Sequence, residues 1–106
     1  MTTDRIGEFE ELLLLSVRAL GGETYGVPIQ RYLSKATGRP ISMGAVYATL
    51  DRLEQKGLVQ SGLGDVTAER GGKRKRLYAV TPAGVRVLRD TRKLRDSLWH
   101  AFEGGK

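Results

Sequence analysis

The periodicity of the apolar residues changes at Gly57. Before it, apolar side chains recur at steps of three and four, which is the spacing of one face of a helix. After it come two short segments typical of β-strands, LVQSGL and KRLYAV. Thr81 and Pro82 then form a helix start. The sequence therefore predicts a mainly α fold with a small β-hairpin, in the α+β class.

Three helices are predicted before the change of period. The first covers EFEELLLLSVRAL, residues 8 to 20, and stops at a pair of glycines. The second covers YGVPIQRYLSKATG, with a proline in its first turn and a glycine at its end. The third runs from Met43 to Gly57, capped by Ser42, and its stripe of Val46, Leu50 and Leu53 predicts a buried side.

Length and spacing predict one domain over residues 1–106. The two strands would form a hairpin, or wing, over about 58–81, with a polar loop from about Gly64 to Lys73. A last helix over about 82–102 carries a seam of apolar residues suited to packing on another helix. The order helix, helix, turn, helix, hairpin, helix is that of a winged helix-turn-helix domain.

Composition narrows the classes of function. The chain has no cysteine and a single histidine, His100, and no carboxylate pair at metal-ligand spacing, so neither catalysis nor a metal or other cofactor is expected. The longest apolar run is the four leucines at 12–15, too short to span a membrane. We expect a cytoplasmic protein with no membrane partner.

Positive charge is concentrated in the later part of the chain. The net charge is +6, but residues 1–38 hold four basic against five acidic side chains, which leaves 14 against 7 for residues 39–106. Five of the seven residues in RGGKRKR, residues 70–76, are cationic. A localised positive field favours a polyanionic partner. The position of this basic run between two strands predicts a projecting finger that contacts double-stranded DNA.

The third helix is the candidate for reading DNA, because its first turns would enter the major groove. Small residues make the start of this helix narrow, so that it could approach the bases closely. Hydroxyl groups could donate to phosphates, and Arg52 could reach a phosphate or a guanine. Asp51 on the same face would be repelled by phosphates unless it meets a base amino group or a cation. Each polar residue also has a structural alternative: Ser42 could only cap, Tyr47 could only pack, and Arg52 could pair with a neighbouring carboxylate. From the residues alone, the predicted DNA contacts are Ser42, Gly44, Ala45, Tyr47, Ala48, Thr49, Arg52, Lys73, Arg74 and Arg76.

A homodimer is predicted because the first and last helices carry more apolar residues than a single core would bury. The first helix is apolar on several faces, and the last helix carries its seam along its whole length. A twofold dimer would hold two reading helices ~34 Å apart, so a near-palindromic site is expected. The predicted interface residues are Leu14, Leu15, Leu94, Leu98, Trp99 and Phe102.

The segments GEFEELLLLSVRAL, YGVPIQRYL, ISMGAVYATLDRLEQKGLV and ERGGKRKRLYAVTPAG, with the closing helix, resemble the PadR family of bacterial transcriptional regulators over nearly the whole chain. The resemblance implies a winged helix-turn-helix dimer, joined through its terminal helices, that binds operator DNA and usually represses transcription. It also implies that Tyr47, Lys73 and Arg74 approach DNA and that Tyr25 lies near the DNA backbone at the start of the second helix.

Many members of that family sense small aromatic or drug-like compounds. The chain ends soon after Phe102, so a small-molecule effector is possible but doubtful, and Trp99 is expected to pack rather than to stack a ligand. The alternative to sequence-specific DNA binding is a winged-helix adaptor for protein–protein interaction. RNA binding is a third and weaker alternative, because no aromatic platform on a sheet is apparent.

Overall fold

The computed structural model describes residues 5–64 and 75–104. It confirms the mainly helical fold with a small antiparallel hairpin, and the ends of each element fall within two residues of those expected from the sequence. The elements are α1 (Glu8–Ala19), α2 (Gly26–Thr37), α3 (Met43–Gln55), β1 (Val59–Leu63), β2 (Arg76–Val80) and α4 (Pro82–Phe102).

Local sequence explains where α3 and α4 begin. The Ser42 hydroxyl accepts a hydrogen bond from the Ala45 N–H at 3.0 Å. The Thr81 hydroxyl does the same for the Gly84 N–H at 3.1 Å, with a proline at the first helical position. Such caps satisfy N–H groups that have no partner within the helix.

Gly57 turns the chain from α3 into the hairpin. Its φ of 76° lies in the left-handed region, which a side chain would disfavour. The following N–H, of Leu58, donates back to the Leu53 carbonyl at 2.9 Å, and the Thr81 hydroxyl donates to the Gly57 carbonyl at 2.7 Å. The end of α3 is thereby tied to the start of α4, with the hairpin between them.

The hairpin pairs Val59 with Val80 and ends with Leu63 opposite Arg76. A third extended segment, which the sequence analysis did not predict, lies beside it: Thr24 pairs with Tyr78 through two backbone hydrogen bonds of 2.7 and 3.0 Å. Because an isolated two-stranded hairpin is marginal in water, this bridge and the packing of Tyr78 into the core help to hold β2 against the helices.

The core lies where α1, α2, α3 and the hairpin meet. Its fully or almost fully buried members are Leu13, Leu14, Val17, Ile29, Leu33, Val46, Leu50, Leu53, Leu58, Val59 and Tyr78. The assignment of Leu14 to a dimer interface was wrong, because its side chain is completely enclosed by its own protomer. Its neighbour Leu15 projects about 100° away around α1 and is 47% exposed.

Candidate nucleic-acid interface

The turn between α2 and α3 is held by two polar side chains of α2. Gln30 Nε2 donates to the Ile41 carbonyl at 2.7 Å, and the Ile41 N–H donates to Ser34 Oγ at 3.1 Å. These bonds fix the extended residues that precede α3 and so fix its direction of entry. These bonds were not among the features predicted from the sequence, although two polar residues four apart beside a turn could have indicated such a role.

The outer face of α3 is open to solvent. Gly44, Ala45 and Ala48 are exposed and Tyr47 is 43% exposed, while Val46, Leu50 and Leu53 are buried behind them. The first two turns therefore present a slim surface with one aromatic side chain at its flank. Ser42 is exposed and acts as the helix cap, and Asp51 continues the exposed face toward the carboxyl end.

Thr49 does not belong to this face, and its prediction as a phosphate contact was wrong. Its side chain is 2% exposed, and its hydroxyl accepts a hydrogen bond from Arg52 Nη2 at 3.2 Å. Position 49 lies three residues after Val46, so the helical spacing that buries Val46 also turns Thr49 inward.

Arg52 is exposed but engaged inside the protomer. Its Nε lies 3.7 Å from Glu10 Oε2 of α1, in addition to its bond with Thr49. The structural alternative that the sequence left open, an ion pair with a carboxylate, is therefore present in the structure. More than half of the side chain remains exposed, so the guanidinium still has a free edge toward solvent.

The start of α2 and the start of β2 lie beside the exposed face of α3. Tyr25 is the residue that precedes α2, and Lys75 Nζ stands 3.3 Å from the centre of its ring, the geometry of a cation–π contact. Gly26, the next residue, faces Tyr47 of α3: a Cβ built on Gly26 would collide with the Tyr47 phenol. Two consecutive residues, Tyr25 and Gly26, thus contact the hairpin through Lys75 and α3 through Tyr47.

Arg76 is the one predicted wing cation that falls within the described residues. It is exposed, and its Nη1 donates to Ser61 Oγ of β1 at 3.0 Å. The same hydroxyl donates to Glu54 Oε2 of α3 at 2.7 Å. Arg76 thus belongs to a polar link between the hairpin and α3. Lys73 and Arg74 lie outside the described residues.

A second exposed surface is apolar and lies on α4. From Arg92 to its end every residue of this helix is exposed. Trp99 and Phe102 meet edge to face with ring centroids 5.4 Å apart, and Phe102 is 79% exposed. Of the residues predicted for a dimer interface, the structure leaves exposed Leu15, Leu94, Leu98, Trp99 and Phe102.

Within the parts of the chain that the structure describes, no helix is both long and apolar enough to cross a membrane. In the same ranges, no group of three or more histidine, aspartate or glutamate side chains is placed to hold a metal ion.

Two helices joined by a short turn, the second exposed on its outer face and followed by a hairpin, define the winged helix-turn-helix class of DNA-binding proteins. The model of the PadR-like family of transcriptional regulators matches residues 14–90. The chain belongs to this family. Its members are transcriptional regulators that bind DNA, and they are not enzymes.

Individual relatives agree with this assignment. The transcriptional regulator Rv3488 of Mycobacterium tuberculosis is 34% identical over 88 residues, which cover 83% of this chain and 78% of that protein. A PadR family regulator from Eggerthella lenta has a similar structure, with a TM-score of 0.70 at 26% identity over 92% of this chain and 84% of that one. A PadR-like transcription factor from Bacteroides fragilis shares the fold, with a TM-score of 0.77 at 20% identity over 91% and 87%.

Proposed function

We propose that this chain binds a near-palindromic operator as a homodimer and represses the transcription of the adjacent gene. The observation that carries the proposal is the open face of α3, where small residues and a half-exposed Tyr47 stand beside Tyr25 and Lys75. A slim helix end can enter a major groove, and flanking hydroxyl and ammonium groups can bind the phosphates on either side.

Each group on this surface has a role in the proposal. Gly44, Ala45 and Ala48 allow close approach to base edges, and the hydroxyls of Tyr25 and Tyr47 donate to phosphates. Ser42 aligns the first turn of α3, whose N–H groups and helix dipole favour an anion. The free edge of Arg52 supplies a cation farther along the helix.

The wing supplies the electrostatic part of the affinity. RGGKRKR contributes five cations within seven residues, and we assign Lys73, Arg74 and Arg76 to the DNA backbone or the minor groove. Arg76 would reach the phosphates from its place on the link to Ser61.

Dimerisation is supported by the exposed apolar half of α4. A monomer would leave Leu94, Leu98, Trp99 and Phe102 in water, and such patches usually mark interfaces. A twofold axis through this half of α4 would present two reading helices to successive major grooves on one side of the duplex. Repression follows if the operator overlaps a promoter, since the bound dimer then excludes the polymerase.

The test begins with selection of bound genomic fragments at physiological salt, followed by fluorescence anisotropy on the selected duplex. We expect a shared inverted repeat. We also expect Tyr47→Ala to weaken binding by about tenfold or more, because a hydrogen bond to a charged group is lost. Tyr32→Ala is the matched control, since Tyr32 on α2 is 42% exposed, close to the 43% of Tyr47.

Repression is tested separately with a reporter gene whose promoter contains the selected repeat. Expression should fall when the protein is present and recover with Tyr47→Ala. Fragments without any shared motif, bound with uniform weakness, would instead favour an adaptor role. An increase of expression would retain DNA binding and reject repression.

A further inference from the structure

Gly26 occupies a position where a larger side chain would fit only if the Tyr47 phenol moved away. It is the first residue of α2 and is buried. A Cβ placed on it would collide with Oη and Cζ of Tyr47 and would lie 3.0 Å from Met43 Cε. Its φ is not among the positive values found at other glycines, so the backbone there would accept an ordinary residue. The glycine is therefore required by the neighbouring side chain and not by the turn.

The side chain that occupies this space, Tyr47, lies outside the fully buried stripe of α3. The buried side of α3 consists of Val46, Leu50 and Leu53, all completely enclosed. Tyr47 leaves 43% of its surface in solvent. The notch beside Gly26 therefore buries part of the Tyr47 ring and leaves the remainder in solvent, where it can meet a partner.

The notch lies where three elements meet. Immediately before Gly26, Tyr25 holds Lys75 of the hairpin over its ring, and Thr24 pairs with Tyr78 of β2. Immediately across from Gly26, Tyr47 extends from the second turn of α3. Residues 24–26 thus contact both the hairpin, through Tyr78 and Lys75, and the Tyr47 phenol of α3.

We infer that Gly26 is a positioning residue for DNA binding. Because it has no side chain, the Tyr47 phenol can lie against the start of α2, next to Tyr25 and Lys75. This inference rests on the proposed function. A methyl group at position 26 would push the phenol outward and separate it from the other two groups, while leaving the buried side of α3 intact.

The test is a double-mutant cycle of wild type, Gly26→Ala, Tyr47→Ala and the double variant, each titrated against the selected operator duplex well below its melting temperature. Gly26→Ala should weaken binding by about tenfold, as Tyr47→Ala does. In the Tyr47→Ala background the same substitution should change the affinity less than twofold, because no phenol remains to be displaced.

Thermal stability supplies a second readout. Alanine is preferred to glycine in a helix, so Gly26→Ala should raise the Tm of the Tyr47→Ala protein. In wild type the collision opposes that gain, and the Tm should stay constant or fall. Gly7→Ala is the matched control, since a Cβ there approaches only Glu10 Oε1, at 3.9 Å, and it should leave the affinity unchanged.

The outcomes are distinct. Wild-type affinity for Gly26→Ala, or losses that multiply in the double variant, would overturn the positioning role while leaving the proposed function in place. If wild type itself binds no DNA, the proposed function fails, and the positioning role fails with it. If Gly26→Ala is too unstable to titrate, the comparison of Tyr47→Ala with the double variant still decides: a further loss of affinity there rejects the inference.

Discussion

At the scale of single residues, Glu10 combines a local helix-capping bond with contacts to α3 that the local sequence does not predict. Its carboxylate accepts the Gly7 N–H at 2.8 Å and lies 3.1 Å from Lys56 Nζ and 3.7 Å from Arg52 Nε. The same residue therefore closes the first turn of α1 and binds the carboxyl end of α3. Lys56 also donates to the Arg5 carbonyl at 3.1 Å, which draws the chain before α1 into the cluster.

The charge of Glu10 should make stability depend on pH. Burial acts to raise its pKa, but the Gly7 N–H, Lys56 and Arg52 outweigh burial and lower the pKa below the ordinary value of 4.5. A carboxylate whose pKa is lower in the folded than in the unfolded protein stabilises the folded state at pH values above its unfolded pKa. That contribution disappears as the pH falls through its folded pKa.

We therefore expect Glu10→Gln to lower the free energy of unfolding at pH 7 by about 1 to 3 kcal/mol, as for a lost charged hydrogen bond. The difference from wild type should shrink as the pH falls below 4.5 toward 3. Urea unfolding across this range measures it, with Glu23→Gln in the exposed loop after α1 as control. A difference that is unchanged at pH 3 would show that shape, and not charge, matters at position 10.

At the scale of elements, α4 has two different halves. The first half packs half-buried residues such as Val87 and Leu88 against the core, and Arg95 then donates to both oxygens of Glu11 on α1, with the shortest contact 2.7 Å. This bond, which raises the pKa of Arg95, ties the helix to α1 within its exposed half, one residue after Leu94. The helix is thus oriented by its own protomer while its end remains available to another.

Leu98→Glu should convert the proposed dimer to a monomer. A carboxylate in an apolar interface is strongly unfavourable, whereas the same group on an isolated α4 remains in water. Light scattering should give about twice 11.7 kDa for wild type and about 11.7 kDa for the variant. His100→Glu is the control, because a residue two positions along a helix lies on nearly the opposite side. A monomeric wild type, or an unchanged Leu98→Glu dimer, would contradict the proposed interface.

At the scale of the whole molecule, the +6 charge is distributed unevenly, and the cations proposed to contact DNA lie in its positive part, residues 39–106. Long-range attraction and direct phosphate contact both strengthen DNA binding, but they differ in origin. Direct contacts release counterions at the interface, whereas a distant charge changes only the mean field.

Replacing Lys73, Arg74 and Arg76 by alanine should reduce the slope of log affinity against log salt by about three, one unit for each phosphate contact. The matched control replaces Arg86, Arg89 and Lys93, three exposed cations on α4, and removes the same net charge. We expect that control to change the slope by less than one unit. Equal changes in both variants would assign the salt dependence to the overall field and not to the wing.

The sequence by itself determined the order, kind and limits of the elements. Apolar spacing gave the buried side of α3, while Ser42, Gly57 and Thr81 marked helix ends, because caps and left-handed turns depend on a few adjacent residues. The basic run between two strands likewise placed the wing in the chain. These features are local, so a linear pattern contains them.

Only the tertiary structure decided which side chains meet across the fold. Leu14 and Leu15 are adjacent leucines, yet one is enclosed and the other is exposed, because they project about 100° apart around α1 and only Leu14 packs into the core. The same packing turned Thr49 inward, brought Glu10 to Lys56, paired Thr24 with Tyr78 and placed Gly26 against Tyr47. These contacts join residues far apart in sequence, and their geometry arises only when the helices close around a common core.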